Sequence, residues 1–397
     1  MGRYTRKICL KIFVLILIVV LLSVIYLKSS KDYSGVEKIV SFPNKHFRQK
    51  QVKKILHWTT FFEKPPDITS ARTCLKTCDS RCEVTADKAE VQSADAVVFH
   101  LSDVWTKKWR IGTRSVVEFP RWRDPHQVWV LENLEPPPHL WGDLAILNGR
   151  FNWTRWYRVD ADIHTPYGAH RRLGDQERQE TSKLLQDRNT FLEKTGEAAA
   201  MISNCRDPGR RYRIVRELEK YINIEKFGSC YNTPCGLNPV NPYDTSCDSV
   251  LKQFKFYFAF ENDHCKDYVT EKYWHALDRD QIPIVNWKHV YEDLVIPHSY
   301  INIYDFDSLQ TAGQYIRKVS QDENLYNSYF HYRQYYTKAE RTCSACKLCQ
   351  DLHNKSKPAQ VYRDLDAWVR DDVCEKAGVW NNIVRNVHSL LFFKLGI

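Results

Sequence analysis

One stretch constrains the fold more than any other: Phe254–Leu277, FKFYFAFENDHCKDYVTEKYWHAL. Its aromatic run Phe254–Phe260 has the composition of a buried strand, and the polar group Glu261, Asn262, Asp263 and His264 ends it. A helix is expected next, with Asp267 as N-cap and Val269, Tyr273, Ala276 and Leu277 at core spacing. Ile282–Asn286 (IPIVN) supplies another apolar strand. Strand, helix and strand in that order make a right-handed parallel unit, which places the chain among α/β folds. Tyr268, Glu271 and Lys272 then share the other helix face beside its N-terminus, where backbone donors and the macrodipole favour anions. A ring, a carboxylate and an ammonium there suit a nucleotide diphosphate.

The same pattern recurs earlier. Ile55–Phe62 opens the globular part, and Ala94–Leu101 (ADAVVFHL), Gln127–Asn133 (QVWVLEN) and Ala198–Ser203 read as further strands. The second of these runs into Glu135-Pro136-Pro137-Pro138, so a carboxylate stands at the carboxyl end of a strand, where open α/β sheets place ligands. Glu135 is a general-base candidate; the plain alternative is a solvated loop glutamate. Phe151–Gly168 reads as a loop facing a cleft, and its Asp160-Ala161-Asp162 has the D-x-D form of some metal sites, though three residues specify little. Leu173–Lys194 is mostly charged and reads as a solvent-facing helix joining two halves. A helix over Arg211–Tyr221 carries Ile214, Leu218 and Ile222 at core spacing. Arg211, at its start, either grips phosphate or belongs to a solvated patch with Arg206, Arg210 and Arg213. Ser308–Lys318 and Glu323–Tyr335 are expected helices. Walker A, G-x-G-x-x-G and G-x-S-x-G patterns are absent, which argues against P-loop enzymes, dehydrogenases and serine hydrolases.

Ile8–Leu27 is apolar except for Lys11 and Ser23, long enough for a membrane span and followed by no small-residue cleavage site. A cleaved signal is the alternative. Met1–Lys31 carries six cations and no acid, which leaves about +4 of the net +10 for the rest and gives little case for nucleic acid. The cations before the span keep residues 1–7 cytoplasmic, 8–27 anchor the chain, 28–52 form a stem, and the remainder is translocated. Of thirteen cysteines, Cys9 lies at the cytoplasmic edge and twelve lie beyond the span, an even number suited to disulfides. Cys74, Cys78 and Cys82, and the run Cys343, Cys346 and Cys349, read as bridging cysteines in preference to zinc ligands, with the pairing open. Cys230, Cys235 and Cys247 pin the loop Gly228–Cys247. Asn152 and Asn354 open glycosylation sequons.

Phe258-Ala259-Phe260-Glu261-Asn262 followed by Asp267-Tyr268-Val269-Thr270-Glu271-Lys272 resembles the signature of the α1,3-fucosyltransferases. The likeness extends to Cys82-Glu83-Val84-Thr85, Ala94–His100, the Glu135 turn, Arg158–Gly168, Ser203-Asn204 and the terminal cysteine run, with an extra cysteine loop more like the invertebrate members. It implies a GT-B fold, two Rossmann-like domains facing across a cleft: an acceptor-side domain (53–190) and a GDP-fucose domain with a cysteine-rich end (191–397). By position it implies Glu135 as general base, Arg211 and Lys272 on the pyrophosphate, and Glu271 on the ribose. Tyr257, Asn262 and Tyr268 match further donor contacts, and Ser203, Asn204 and Tyr167 weaker ones. One departure is Pro136, where the family usually has serine.

The resemblance implies inverting transfer of L-fucose from GDP-fucose, in α1,3 linkage, to GlcNAc of a glycoprotein glycan, with a glycolipid acceptor also open. Two cations stabilise the leaving phosphate, so no metal or other cofactor is required; stimulation by Mn2+ or Mg2+ is left open. The implied location is the Golgi membrane, type II and single-pass. The alternative is a catalytically inactive glycan-binding protein of the same fold.

Overall fold

A computed structural model of the chain describes residues 52–110, 113–140, 142–186, 188–205, 209–235, 247–340, 343–357 and 360–375. The expected span at Ile8–Leu27, with its tail and nearly all of the stem, lies outside them. No helix among the described residues is long and apolar enough to cross a membrane.

The first half runs β1 (Lys53–His57), α1 (Ile68–Leu75), β2 (Cys82–Thr85), β3 (Ala96–His100), β4 (Trp105–Arg110), β5 (Thr113–Val116), β6 (Val128–Glu132), β7 (Trp153–Trp156), β8 (Ile163–His164) and β9 (Ala169–Arg172). An exposed helix, α2 (Asp175–Leu185), precedes the second half. That half runs β10 (Gly196–Met201), α3 (Arg211–Leu218), β11 (Ile224–Phe227), α4 (Asp248–Leu251), β12 (Phe254–Phe258), α5 (Glu271–Asp278), β13 (Ile282–Val285) and β14 (Ile301–Asn302). The helices α6 (Leu309–Gln321) and α7 (Glu323–Ser328), strand β15 (Tyr336–Ala339), and helices α8 (Ser344–His353) and α9 (Leu365–Arg370) complete it.

Two all-parallel sheets result, ordered β2-β1-β3-β6-β7-β8 and β11-β10-β12-β13-β14. The α/β expectation is met, and physical chemistry explains why. Every residue of β3 is buried, the mark of a central strand covered on both faces. The period of two sends Val97 and Phe99 to one face with Leu56, Trp129 and Leu131, and Ala96 and Val98 to the other with Ile55, Val130 and Ile163. Truncating Phe99, which is fully buried, to alanine is expected to cost about 3–5 kcal/mol. In the second sheet β12 buries Phe254, Phe256, Tyr257 and Phe258, and α5 lays Tyr273, Trp274, Ala276 and Leu277 on the same core.

Three expectations need correction. Phe151–Gly168 is not a cleft-facing loop: Trp153, Trp156 and Ile163 are buried, and the segment forms β7 and β8 at one edge of the first sheet. Asp267 does not cap α5. It sits at φ +59°, three residues before the N-cap Thr270, and its carboxylate accepts from Tyr291 N and Val159 N. The helix expected over Glu323–Tyr335 stops at Ser328, and a separate 3₁₀ turn covers His331–Gln334.

All twelve cysteines after Cys9 are paired: Cys74–Cys343, Cys78–Cys346, Cys82–Cys349, Cys205–Cys230, Cys235–Cys247 and Cys265–Cys374. The bridging reading of both cysteine runs holds. The first three bonds lock the start of α8 and its neighbours to the α1–β2 region across 267 to 269 residues. Ala345, Leu348 and Cys349 of α8 then cover one face of the first sheet, and Leu365 and Val369 of α9 the other. The cysteine-rich end, grouped by chain position with 191–397, therefore packs on the first sheet.

Candidate active site

The charged residues singled out in the sequence gather beyond the carboxyl ends of the parallel strands, where such sheets leave backbone groups unpaired. Beyond β6 the chain turns at Glu135. Asn133 Nδ2 and Trp156 Nε1 both donate to the Glu135 carbonyl oxygen, at 2.7 and 3.2 Å, which fixes the backbone of this residue. Tyr167 supports the same turn by donating to Leu134 O at 2.8 Å. Pro137–His139 then form one 3₁₀ turn, preceded by Pro136 in extended conformation. This turn brings His139 back over Glu135, with Nδ1 2.8 Å from Glu135 Oε2. On its other side, Nε2 lies 2.9 Å from Asp263 Oδ2, an ion pair without hydrogen-bond alignment, in the loop after β12. Burial pushes His139 down, but the carboxylates of Asp263 and Glu135 on its two sides outweigh it and lift the imidazole to about 9. The ring is thus doubly protonated at neutral pH. The Glu135 side chain stays 31% exposed, open enough for a substrate hydroxyl to reach it.

Beyond β10 and β12 lies a second cluster. Lys272 Nζ lies 2.7 Å from Thr270 Oγ1 and 3.2 Å from both Glu261 Oε2 and Glu271 Oε1, which accounts for its three N–H donors. Glu261, 1% exposed, also accepts from Thr270 N and Thr270 Oγ1 and is anchored by its own N–H donating to Asn286 Oδ1. Burial raises the Glu261 carboxyl. Burial also works to raise Glu271, but the Lys272 charge outweighs it and holds Glu271 below the ordinary carboxylate range. For Lys272, burial acts to lower proton affinity and the two glutamates more than restore it. Arg211, buried at the first turn of α3, donates from Nη2 to Asn204 O at 2.8 Å and lies close enough for its charge to be felt by Lys272.

The turn between β10 and α3 is held against the β12 loop. Gly209 N donates to Asn262 O at 3.1 Å, and a Cβ at Gly209 would sit 2.9 Å from that oxygen, so a side chain would force the two loops apart. The Cys205–Cys230 bond ties the same turn to the region after β11. Ser203 and Asn204 flank it, Asn204 exposed and Ser203 half-buried, and Asn262 is half-buried alongside. These three, with Arg211, Glu271 and Lys272, form one neighbourhood.

Two aromatic candidates lie deeper. Tyr268 does not stand on the helix face with Glu271 and Lys272; it precedes α5, is 3% exposed, and packs against Tyr157 and Tyr167 at 5.0 and 6.2 Å between ring centres. Tyr257 is buried in β12 under the Arg279 guanidinium, 5.3 Å from its ring centre. The D-x-D carboxylates are already engaged: Asp160 pairs with Arg158, and Asp162 accepts from Thr154 N, Tyr362 OH and Gln360 Nε2. Among the described residues one metal-like grouping exists, Cys82, Cys349 and His353, and its two cysteines are disulfide-bonded. Of the sequons, Asn354 is exposed, whereas Asn152 is half-buried with its amide donating to Gln360 O.

Sequence reasoning missed three residues: His139, Asp263 and Glu261. A histidine four positions after the candidate base, across a proline turn, was the available signal for the first. Asp263 was visible only as part of the polar end of a strand, and Glu261 as that and as a member of the signature, with no role attached.

Comparison with known proteins gives a consistent result. Residues 191–368 match the model of the glycosyltransferase family 10 (fucosyltransferase) C-terminal region, and residues 50–168 match that of the fucosyltransferase N-terminal region. The chain is 31% identical to alpha-(1,3)-fucosyltransferase fut-5 of Caenorhabditis elegans over 83% of its own length and 86% of the relative's. It is 30% identical to human alpha-(1,3)-fucosyltransferase 7, over 79% and 84% of the two chains, so these two identities do not separate invertebrate from vertebrate members. A crystal structure of an alpha1,3-fucosyltransferase with GDP aligns with a TM-score of 0.42 at 16% identity, over 73% of this chain and 84% of the other.

Proposed function

Because the chain belongs to glycosyltransferase family 10, the fucosyltransferases, we propose that it transfers L-fucose from GDP-fucose, in α1,3 linkage, to GlcNAc of glycoprotein glycans, within a GT-B architecture. One observation carries the reading beyond the family relationship. A buried guanidinium, Arg211, and a half-buried ammonium, Lys272, which pairs with Glu271, lie close enough to feel each other's charge at the carboxyl end of a parallel sheet.

The arrangement supports a definite sequence of events. Ribose hydroxyls take the Glu271 carboxylate, which releases one Lys272 N–H to the diphosphate, while Arg211 faces the same phosphates. Negative charge grows on the β-phosphate as the bond to fucose breaks, and the two preorganised cations stabilise it, so the step requires no cofactor. On the other side, the acceptor hydroxyl gives its proton to Glu135 as its oxygen attacks the anomeric carbon. Direct displacement inverts that centre. General-base assistance contributes about 10²–10⁴-fold. Pro136 in place of serine leaves this geometry in place, because the proline turn itself holds Glu135 and His139 together.

The location inferred is the Golgi membrane, with the catalytic part lumenal behind a type II anchor at Ile8–Leu27. Six disulfides fit an oxidising lumen. The test is transfer of radiolabelled fucose to a defined N-glycan panel, with mass spectrometry of the products. Fucosylation at a GlcNAc 3-position is expected; no transfer to any acceptor, or preferential stabilisation by GDP-mannose or a UDP-sugar in thermal shift, overturns the assignment.

A further inference from the structure

We propose that His139 is a positioning residue for transfer, an imidazolium strut between Glu135 and Asp263 that aims the base carboxylate toward the donor held by the second sheet. The proposal rests on the reading of Glu135 as general base. The two ring nitrogens of His139 point in opposite directions, one 2.8 Å from Glu135 Oε2 and the other 2.9 Å from Asp263 Oδ2. Only a doubly protonated ring offers a proton at both ends; either neutral tautomer would set a lone pair against one carboxylate. A rigid ring of fixed span therefore links the turn after β6 to the loop after β12.

The prolines account for the reach. Pro136 is fixed in extended conformation, Pro137–His139 make a 3₁₀ turn, and His139 N donates to Pro136 O at 2.9 Å. A stiff turn of this kind returns the fourth residue onto the first. The departure from the family's serine thus falls at the residue that starts the strut. The charged groups facing the ring are Glu135 and Asp263. Tyr157 and Tyr268 lie behind them, both pushed well above the phenol range by burial, with Arg158 and Asp267 near Tyr157.

In the step itself the acceptor O–H bond breaks and its proton goes to Glu135 Oε1. The acceptor oxygen bonds to the anomeric carbon, and the electron pair of the broken bond leaves with the β-phosphate. His139 keeps both protons throughout. It holds Oε2, so that Oε1 is the oxygen presented to the acceptor, and Asp263 balances the ring's charge.

The experiment is steady-state kinetics across pH for the full chain and for His139→Ala, His139→Gln and Asp263→Asn, with GDP calorimetry alongside. Misplacing the base is expected to lower kcat about 10²-fold in His139→Ala while GDP affinity stays close to wild type. The wild-type enzyme should lose activity as pH rises through about 9, and His139→Ala should lack that limb. Glu135→Gln/His139→Ala should be no slower than Glu135→Gln alone. If His139→Ala does not fold, His139→Gln and Asp263→Asn, which preserve shape, give the same directions with smaller losses. Wild-type kcat and an unchanged basic limb in the folded variants, with Glu135→Gln inactive, overturn the strut and leave the base standing; an active Glu135→Gln overturns the base itself.

Discussion

The two charged clusters at the strand ends are built on opposite plans. Around Lys272 every N–H of the ammonium has a partner, and one of its carboxylates, Glu261, is 1% exposed. Around Glu135 one carboxylate oxygen is held by His139, and the other accepts no hydrogen bond among the described residues, on a side chain 31% exposed. The first cluster is closed on itself and must exchange partners to bind anything. The second is open on one side. A site for a diphosphate meets a ligand carrying its own charge and hydroxyls, which can replace internal partners one for one. A general base must meet a neutral hydroxyl, which cannot displace an ion pair.

The largest expected effect comes from the open cluster. Glu135→Gln should lower transfer by about 10²–10⁴-fold with GDP binding unchanged by calorimetry, and near-normal transfer would erase the contrast. Next, Lys272→Ala should weaken GDP and GDP-fucose together by about 10–100-fold, as expected for loss of a hydrogen bond to a charged group. It should also destabilise the fold by about 3–5 kcal/mol, because Glu261 is left buried beside Glu271 without its cation. Equal donor affinity in that variant would remove Lys272 from the diphosphate site. Glu271→Gln sharpens the comparison further: GDP should bind more weakly, while inorganic pyrophosphate, which has no ribose, should bind more tightly because one Lys272 donor is released. Weaker binding of both ligands would contradict the partner exchange.

The smallest effect is a pH dependence of stability. The folded value of His139 is raised from 6.5 to about 9, so its contribution is complete below about pH 6.5 and is lost as pH rises through about 9. Melting temperature should fall across that window, and His139→Ala should flatten the fall. A wild-type curve no steeper than that of the variant would show that the ring is not held as a cation.

What was legible in the sequence follows from range. The runs Phe254–Phe258 and Ala96–His100 declare themselves as buried parallel strands because every side chain along them is apolar, or nearly so. Glu135, Arg211, Glu271 and Lys272 were placed correctly at strand and helix ends, because those ends are marked locally by prolines and polar turns. Trp153–Trp156 escaped because Thr154 and Arg155 break the apolar run, although the sheet buries Thr154 fully. Asp267 has the chemistry of an N-cap, but its partners are Tyr291 and Val159, 24 and 108 residues away, and local pattern cannot show them. The pairing of His139 with Asp263 is hidden for the same reason: it joins the ends of two different sheets.

The three bonds from Cys74, Cys78 and Cys82 to Cys343, Cys346 and Cys349 also order events in time. A ribosome adding about 5–20 residues per second needs roughly 13–54 s to cover the 267 to 269 residues between partners. Throughout that interval one face of the earliest-made sheet lacks the helix that covers it, and the second sheet, whose strands run from Gly196 to Asn302, is complete in the chain before that helix begins at Ser344. The half of the molecule that is made first is therefore the half that finishes last, with an apolar face uncovered and three thiols unpaired until Ser344–His353 arrives.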